Sequence, residues 1–152
     1  MLKSLYWRVN FFLKNRKSKR LKNRHKENNS LLTINTKNGT FVVDATDLEV
    51  SAKLRNKGEY GTDEINRISK FIDNQSSILI VGAHIGSLAI PIAKMCSEVV
   101  AIEANPNNFK LLQTNIEMNN TSNITAHNIA ASEREETIQF QLNTVNSGGS
   151  KR

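Results

Sequence analysis

Cysteine is nearly missing from this chain of 152 residues. Cys96 stands alone, which excludes an internal disulfide and a cysteine-built metal cluster. The three histidines, His25, His84 and His127, are too scattered to offer a ligand spacing, so no metal site is expected. Long apolar runs are missing as well. The longest, around Ile78, has the length of a strand and falls far short of the roughly 20 residues that cross a bilayer. Arg8 and Asn10 interrupt the apolar residues of the N-terminus, so no signal-peptide core of about 7 to 15 residues forms, and a cytoplasmic location is expected.

The first 26 residues lack acidic side chains altogether and carry ten basic ones. The other 126 residues hold 11 basic and 14 acidic side chains, a balance of −3 within a total of +7. The basicity therefore belongs to a tail and not to a fold. Leu2, Leu5, Tyr6, Val9, Phe12 and Leu13 recur at helical intervals on one face, while Trp7 and Phe11 fall on the other and an aperiodic basic run follows from Lys14 to Lys26. This basic amphipathic segment suits three uses. It could lie peripherally on an anionic membrane surface, pack on the domain as a helix with a solvated tail, or contact nucleic-acid phosphates, the last being the least favoured.

What is present reads as one α/β domain in three stretches: residues 1–26 as helix and tail, 27–76 as a hairpin with two helices, and 77–152 as a partial Rossmann-like unit. Residues 31–44 alternate apolar and polar side chains around Asn38-Gly39, a pair that supplies positive φ angles for a hairpin turn. Helices are expected over 47–57, closed by Gly58, and over 63–73, opened by Thr62, with Ile65, Ile68, Phe71 and Ile72 facing inward. The twenty asparagines make glycosylation-like triplets such as Asn38-Gly39-Thr40 a chance occurrence.

The continuous apolar run Ile78-Leu79-Ile80-Val81 predicts a strand covered on both faces. It enters Gly82-Ala83-His84-Ile85-Gly86 and then a helix with Ile85, Leu88, Ala89, Ile92, Met95 and Cys96 on one face, kinked by Pro91. Cys96 is expected there as a buried small hydrophobe. A second strand over 98–102 ends at Glu103, and Asn105-Pro106 caps and starts a helix bearing Phe109, Leu112 and Ile116. Strand, glycine loop, helix and strand place Gly82 and Glu103 together at the carboxyl edge of a parallel sheet, where open α/β folds bind ligands. Glu103 follows Gly82 by 21 residues, close to the roughly 20 that separate a glycine loop from a ribose-binding acid. A dinucleotide fingerprint would need glycine at positions 84 and 87, where His84 and Ser87 stand.

The blocks ILIVGAHIG (78–86), VVAIEANPNNFKLLQTNIEMNN (99–120) and ITAHNIAAS (124–132), with the stretch 146–150 and the upstream GEYGTDEI (58–65), resemble the FkbM-type S-adenosylmethionine-dependent methyltransferases over about residues 40–150. The resemblance implies a Rossmann-like class I methyltransferase fold, S-adenosylmethionine as cofactor, and O-methylation of a sugar or small-molecule acceptor. It makes Gly82, Ala83, His84 and Gly86 the loop beside the methionine part of the cofactor. Glu103 becomes the ribose ligand, with Asn128 and Ala130 near the adenine. No catalytic residue is assigned, because the sulfonium carries the chemistry and the protein mainly orients the acceptor.

Ile80 stands where that family usually has an acidic residue, and His84 where it commonly has asparagine. The family continues beyond the point where this chain stops, which leaves the sheet incomplete and the strand at 78–81 as an exposed edge. The chain is therefore expected to be the N-terminal half of such an enzyme, weakly active or inactive alone. It would be a remnant, or a half completed by another chain or a second copy.

Overall fold

The computed structural model describes residues 30–133, together with helical positions 10, 12–14, 16, 17 and 20. Most of the expected amphipathic helix and the stretch 146–150 lie outside the described residues. No described helix is long and apolar enough to cross a membrane.

The alternating stretch folds as a hairpin of β1 (Leu31–Thr36) and β2 (Gly39–Asp44), with Thr36 opposite Gly39. Its period of two sends Phe41 and Val43 fully into the core. The two turn residues are Lys37 and Asn38, one position earlier than expected, and of the pair Asn38-Gly39 only the glycine has positive φ, at 136°. Asn38 is instead buried and used for its side chain, as described below.

Helix α1 (Val50–Lys57) starts three residues later than the sequence suggests because Asp47 lies ahead of it and accepts from Ser51 N at 2.7 Å through Oδ2. Gly58 ends it in the left-handed conformation expected of a C-terminal glycine. Helix α2 (Thr62–Ile68) is capped by Gly61, not Thr62, and stops short of residue 73. Beyond it Phe71 N bonds to Ile68 O at 2.9 Å, tightening the chain out of the α-helix. That turn rotates Phe71 outward, leaving it 87% exposed where it was expected inside.

The second half gives β3 (Ser77–Val81), α3 (Ala89–Ala93), β4 (Glu98–Ile102), α4 (Pro106–Met118) and β5 (Ile124–His127). The strands form a parallel sheet in the order β3-β4-β5, the Rossmann-like arrangement expected. The register pairs Ile78 with Val99 and Ile80 with Ala101, so these residues share the face that packs on the core. Leu79 and Val81 point the other way and remain 63% and 58% exposed. The strand expected to be covered on both faces is thus covered on one among the described residues. Among the described residues it is also the edge of the sheet.

Pro91 shortens α3. Lacking an N–H, it leaves the carbonyl of Ser87 without its helical donor, and Asn38 Nδ2 supplies one at 2.8 Å. Ile85, Ala89, Ile90, Ile92 and Ala93 are all buried, so the inward face is broader than expected and also takes in Ile90 and Ala93, while Pro91 is partly covered and Lys94 exposed on the outer side. Cys96 is buried near its end, where Sγ donates to Ile92 O at 3.3 Å and burial pushes the thiol pKa up.

The hairpin joins the same apolar core, with Phe41, Val43 and Leu54 in one cluster with Ile85, Val99 and Leu112. Asn115 of α4 and Asn119, the residue that caps its C-terminus, fasten the hairpin's free edge. Asn115 accepts from Val42 N at 2.6 Å and donates to Val42 O at 3.2 Å, and Asn119 does the same for Thr40 at 2.9 and 2.6 Å. Two strand residues advance about 6.8 Å and four helical residues about 6 Å, so carboxamides spaced i, i+4 match backbone groups spaced i, i+2. Side chains stand in for a neighbouring strand, and every hydrogen-bonding group they meet is satisfied.

Candidate functional site

β3 leads into a loop with three left-handed residues, Gly82 at φ 82°, His84 at 54° and Gly86 at 90°. The two glycines serve different needs. A Cβ at Gly86 would lie 2.9 Å from Leu112 Cδ1 and 3.1 Å from Ile90 Cδ1, so this glycine permits close packing of loop on helix. A Cβ at Gly82 would meet nothing within 4 Å, so there the backbone angle alone calls for glycine, beside open space.

Gly82 and Ala83 donate to Ile102 O at 2.8 and 2.9 Å, which sets the loop against the end of β4. Glu103, one residue further, completes the attachment. Its Oε2 accepts from His84 N at 2.8 Å and its Oε1 from Asn105 N at 2.8 Å, with the residue only 6% exposed. Left-handed backbone disfavours a non-glycine residue by about 1 to 2 kcal/mol, and the carboxylate anchors the N–H of the one non-glycine that adopts it in this loop. Asn105 then caps α4 by accepting from Asn107 N at 3.0 Å, with Pro106 in the first turn as expected. Asn128 Nδ2 donates to Glu103 O at 2.8 Å and Ala104 O at 3.2 Å, tying the end of β5 to the same place. Ala130 follows it, half-buried.

The expected residues Gly82, Ala83, His84, Gly86 and Glu103 are thus brought together, and Asn128 joins them through backbone carbonyls. His84 is buried, and burial drives its pKa below the ordinary histidine value, against the opposing pull of Asp47 and Glu103. The neutral imidazole is the favoured form.

A cleft of about 290 Å³ opens on one side of the loop. Gly82, Ala83, His84 and Ser87 form its loop wall, Ile80 its sheet side, and Glu49, Val50, Lys53 and Tyr60 the opposite wall. Lys53 Nζ sits 5.3 Å from the centre of the Tyr60 ring. Burial is the main cause of a raised Tyr60 pKa, with Glu64, Glu49 and Asp47 adding to it. Asn38 binds both walls: its Nδ2 reaches Tyr60 O at 2.7 Å and Ser87 O at 2.8 Å, and its Oδ1 accepts from Tyr60 N at 3.0 Å. Sequence reasoning missed Asn38, Glu49, Lys53 and Tyr60 as site residues. The block GEYGTDEI marked the neighbourhood of Tyr60, whereas a turn asparagine and two helix-surface charges carry no pattern of their own. Among the described residues no three His, Cys, Asp or Glu side chains form a metal-binding group.

A loop, an acid at the next strand end and a cleft in this arrangement agree with the comparisons to known proteins. A family model described as the TRM5/TYW2 methyltransferase domain matches residues 33–146. The chain belongs to the TRM5/TYW2 methyltransferase domain family. No curated protein matches it. Similar solved structures include M. jannaschii TYW2 in complex with AdoMet, 24% identical, with a TM-score of 0.53 over 67% of this chain and 43% of that one. M. jannaschii tRNA m1G37 methyltransferase is 22% identical, with a TM-score of 0.53 over 74% and 33%, and Trm5b from Pyrococcus abyssi is 22% identical, with 0.53 over 68% and 29%. The chain spans less than half the length of each of these three.

Membership of the TRM5/TYW2 family upholds the methyltransferase class, the Rossmann-like fold and S-adenosylmethionine as the cofactor. It overturns the FkbM assignment and leaves sugar O-methylation without support. The residues that suggested FkbM make a left-handed loop, a carboxylate that anchors it and a capped helix. All three serve local backbone geometry around the loop after β3, so they report a class of fold and not one family within it. A tRNA methyltransferase stands among the similar structures, which conflicts with the low rank given to nucleic acid as a partner only at the level of the family.

Proposed function

We propose that this chain is the cofactor-binding part of an S-adenosylmethionine-dependent methyltransferase that acts on tRNA. The observation that carries the proposal is the match of the TRM5/TYW2 methyltransferase domain to residues 33–146, which contain the whole loop, Glu103 and the cleft. In this reading the methionine end of the cofactor lies in the cleft against Gly82 and Ala83. The ribose approaches Glu103, whose oxygens each keep accepting capacity beyond the one N–H they hold. The adenine lies toward Asn128 and Ala130. When bound, the cofactor supplies an electrophilic methyl on sulfur, and the protein's part is to fix its orientation.

The basic segment 1–26 supports an RNA acceptor, because ten positive charges without an acidic one favour phosphate contact. The test is transfer of radiolabelled methyl from S-adenosylmethionine to an unmodified tRNA transcript, run beside a sugar acceptor and in rising salt. Label in tRNA that is lost in a Glu103→Ala variant, with RNA binding that weakens as salt rises, is the expected result. Label in the sugar, or cofactor binding with no affinity for tRNA at low salt, would overturn the RNA assignment.

A further inference from the structure

We propose that Glu49 and Lys53 form a clamp for the charged amino-acid end of S-adenosylmethionine, Glu49 receiving its ammonium and Lys53 its carboxylate. The proposal rests on the reading that the cleft beside Gly82 holds the cofactor. That end of the molecule is a zwitterion, and a site that encloses it must answer both charges or leave them poorly solvated. The rest of the described lining cannot do so: Ile80, Ala83 and Leu88 are apolar, and no carboxylate stands on the loop wall. Both formal charges come from the opposite wall.

Glu49 is the N-cap residue of α1 and Lys53 lies four residues on, so the two project from one face of the helix about one turn apart. Opposite charges at that spacing could neutralise each other, but the pairing seen is different. Glu49 Oε1 accepts from the Lys14 ammonium, so its carboxylate already holds a primary ammonium of the kind the cofactor's amino group presents. Lys53 makes no ion pair among the described residues and is held over the Tyr60 ring, which is fixed in turn by Asn38. The cation is thus positioned beside the cleft without a carboxylate of its own. Cofactor binding supplies that carboxylate and exchanges one ammonium on Glu49 for another.

Two ligands separate this clamp from the rest of the site: S-adenosylhomocysteine carries the zwitterion, and 5′-methylthioadenosine lacks it. Both are titrated calorimetrically into the full chain and into Glu49→Gln and Lys53→Met. Each variant is expected to lose about 5- to 20-fold in affinity for S-adenosylhomocysteine and to stay within about twofold of the parent for 5′-methylthioadenosine. Unchanged affinity for S-adenosylhomocysteine in both variants, with the parent binding well, would overturn the clamp and leave the cofactor reading standing. Equal losses for both ligands would also overturn it, by showing that the substitutions act on the cleft as a whole. A parent chain that binds neither ligand would remove the cofactor reading and the clamp together.

Discussion

The hairpin and the parallel sheet are held in the same core by different means. β3, β4 and β5 are joined by backbone ladders, and their loop by backbone bonds from Gly82 and Ala83 to Ile102 O. The hairpin has no strand beside its free edge among the described residues and is fastened by the carboxamides of Asn115, Asn119 and Asn38. A ladder shares its strength over many equivalent groups. A carboxamide concentrates several hydrogen bonds in one side chain, so a single substitution can remove them all.

That contrast is sharpest at Asn115, which is fully buried and also donates to Ile85 O at 2.9 Å. Replacing it with alanine leaves three backbone groups short of a partner and is expected to destabilise the chain by about 3 to 4 kcal/mol in urea denaturation. A loss below about 1 kcal/mol would show that apolar packing alone docks the hairpin. On the sheet side the largest effect falls at Gly86, where alanine combines a positive φ with a Cβ 2.9 Å from Leu112 Cδ1. The expected loss is about 2 to 3 kcal/mol. Gly82→Ala meets open space and should destabilise by about 1 kcal/mol, from the backbone angle alone. Similar losses for the two glycines would contradict the separate needs assigned to them.

His84 gives a smaller effect with a definite sign. Burial holds its folded pKa below the ordinary 6.5, so as pH falls through that value the unfolded chain takes up the proton first. Stability from this group is complete above about pH 6.5 and is lost as pH falls from there toward the folded pKa. Urea midpoints measured between pH 7.5 and 5 should show the decline, and His84→Asn, which tolerates the left-handed angle, should reduce it. The smallest effect is expected at Phe71, where 87% exposure limits Phe71→Ser to within about 0.5 kcal/mol in the same assay.

The same contrast explains what the sequence disclosed. Backbone geometry leaves local marks, so the glycine loop, the Asn105-Pro106 cap, Gly58 and the strands at 77–81 and 98–102 were all legible. Periodicity misled where local structure changed within an element, as when the turn after Ile68 rotated Phe71 outward. Docking by side-chain amides leaves no mark of that kind. Asn38 reads as a turn residue, and Asn115 as one asparagine among twenty, until partners 22 to 73 residues away in sequence are in place. Glu49 and Lys53 were hidden for the same reason, since their meaning depends on what α1 faces. The family was misassigned because the quoted blocks describe the loop and its anchors, which do not distinguish acceptors.

In the proposed function the loop at 82–86 and the cleft beside it bind S-adenosylmethionine. The most direct measurement is a backbone amide chemical-shift map of the isotope-labelled chain during titration with S-adenosylhomocysteine. Binding at this site gives saturable shifts concentrated at Gly82, Ala83, His84 and Tyr60, with Phe71 and β1 unmoved. Shifts that avoid the loop, or none at ligand concentrations in the millimolar range, would contradict it.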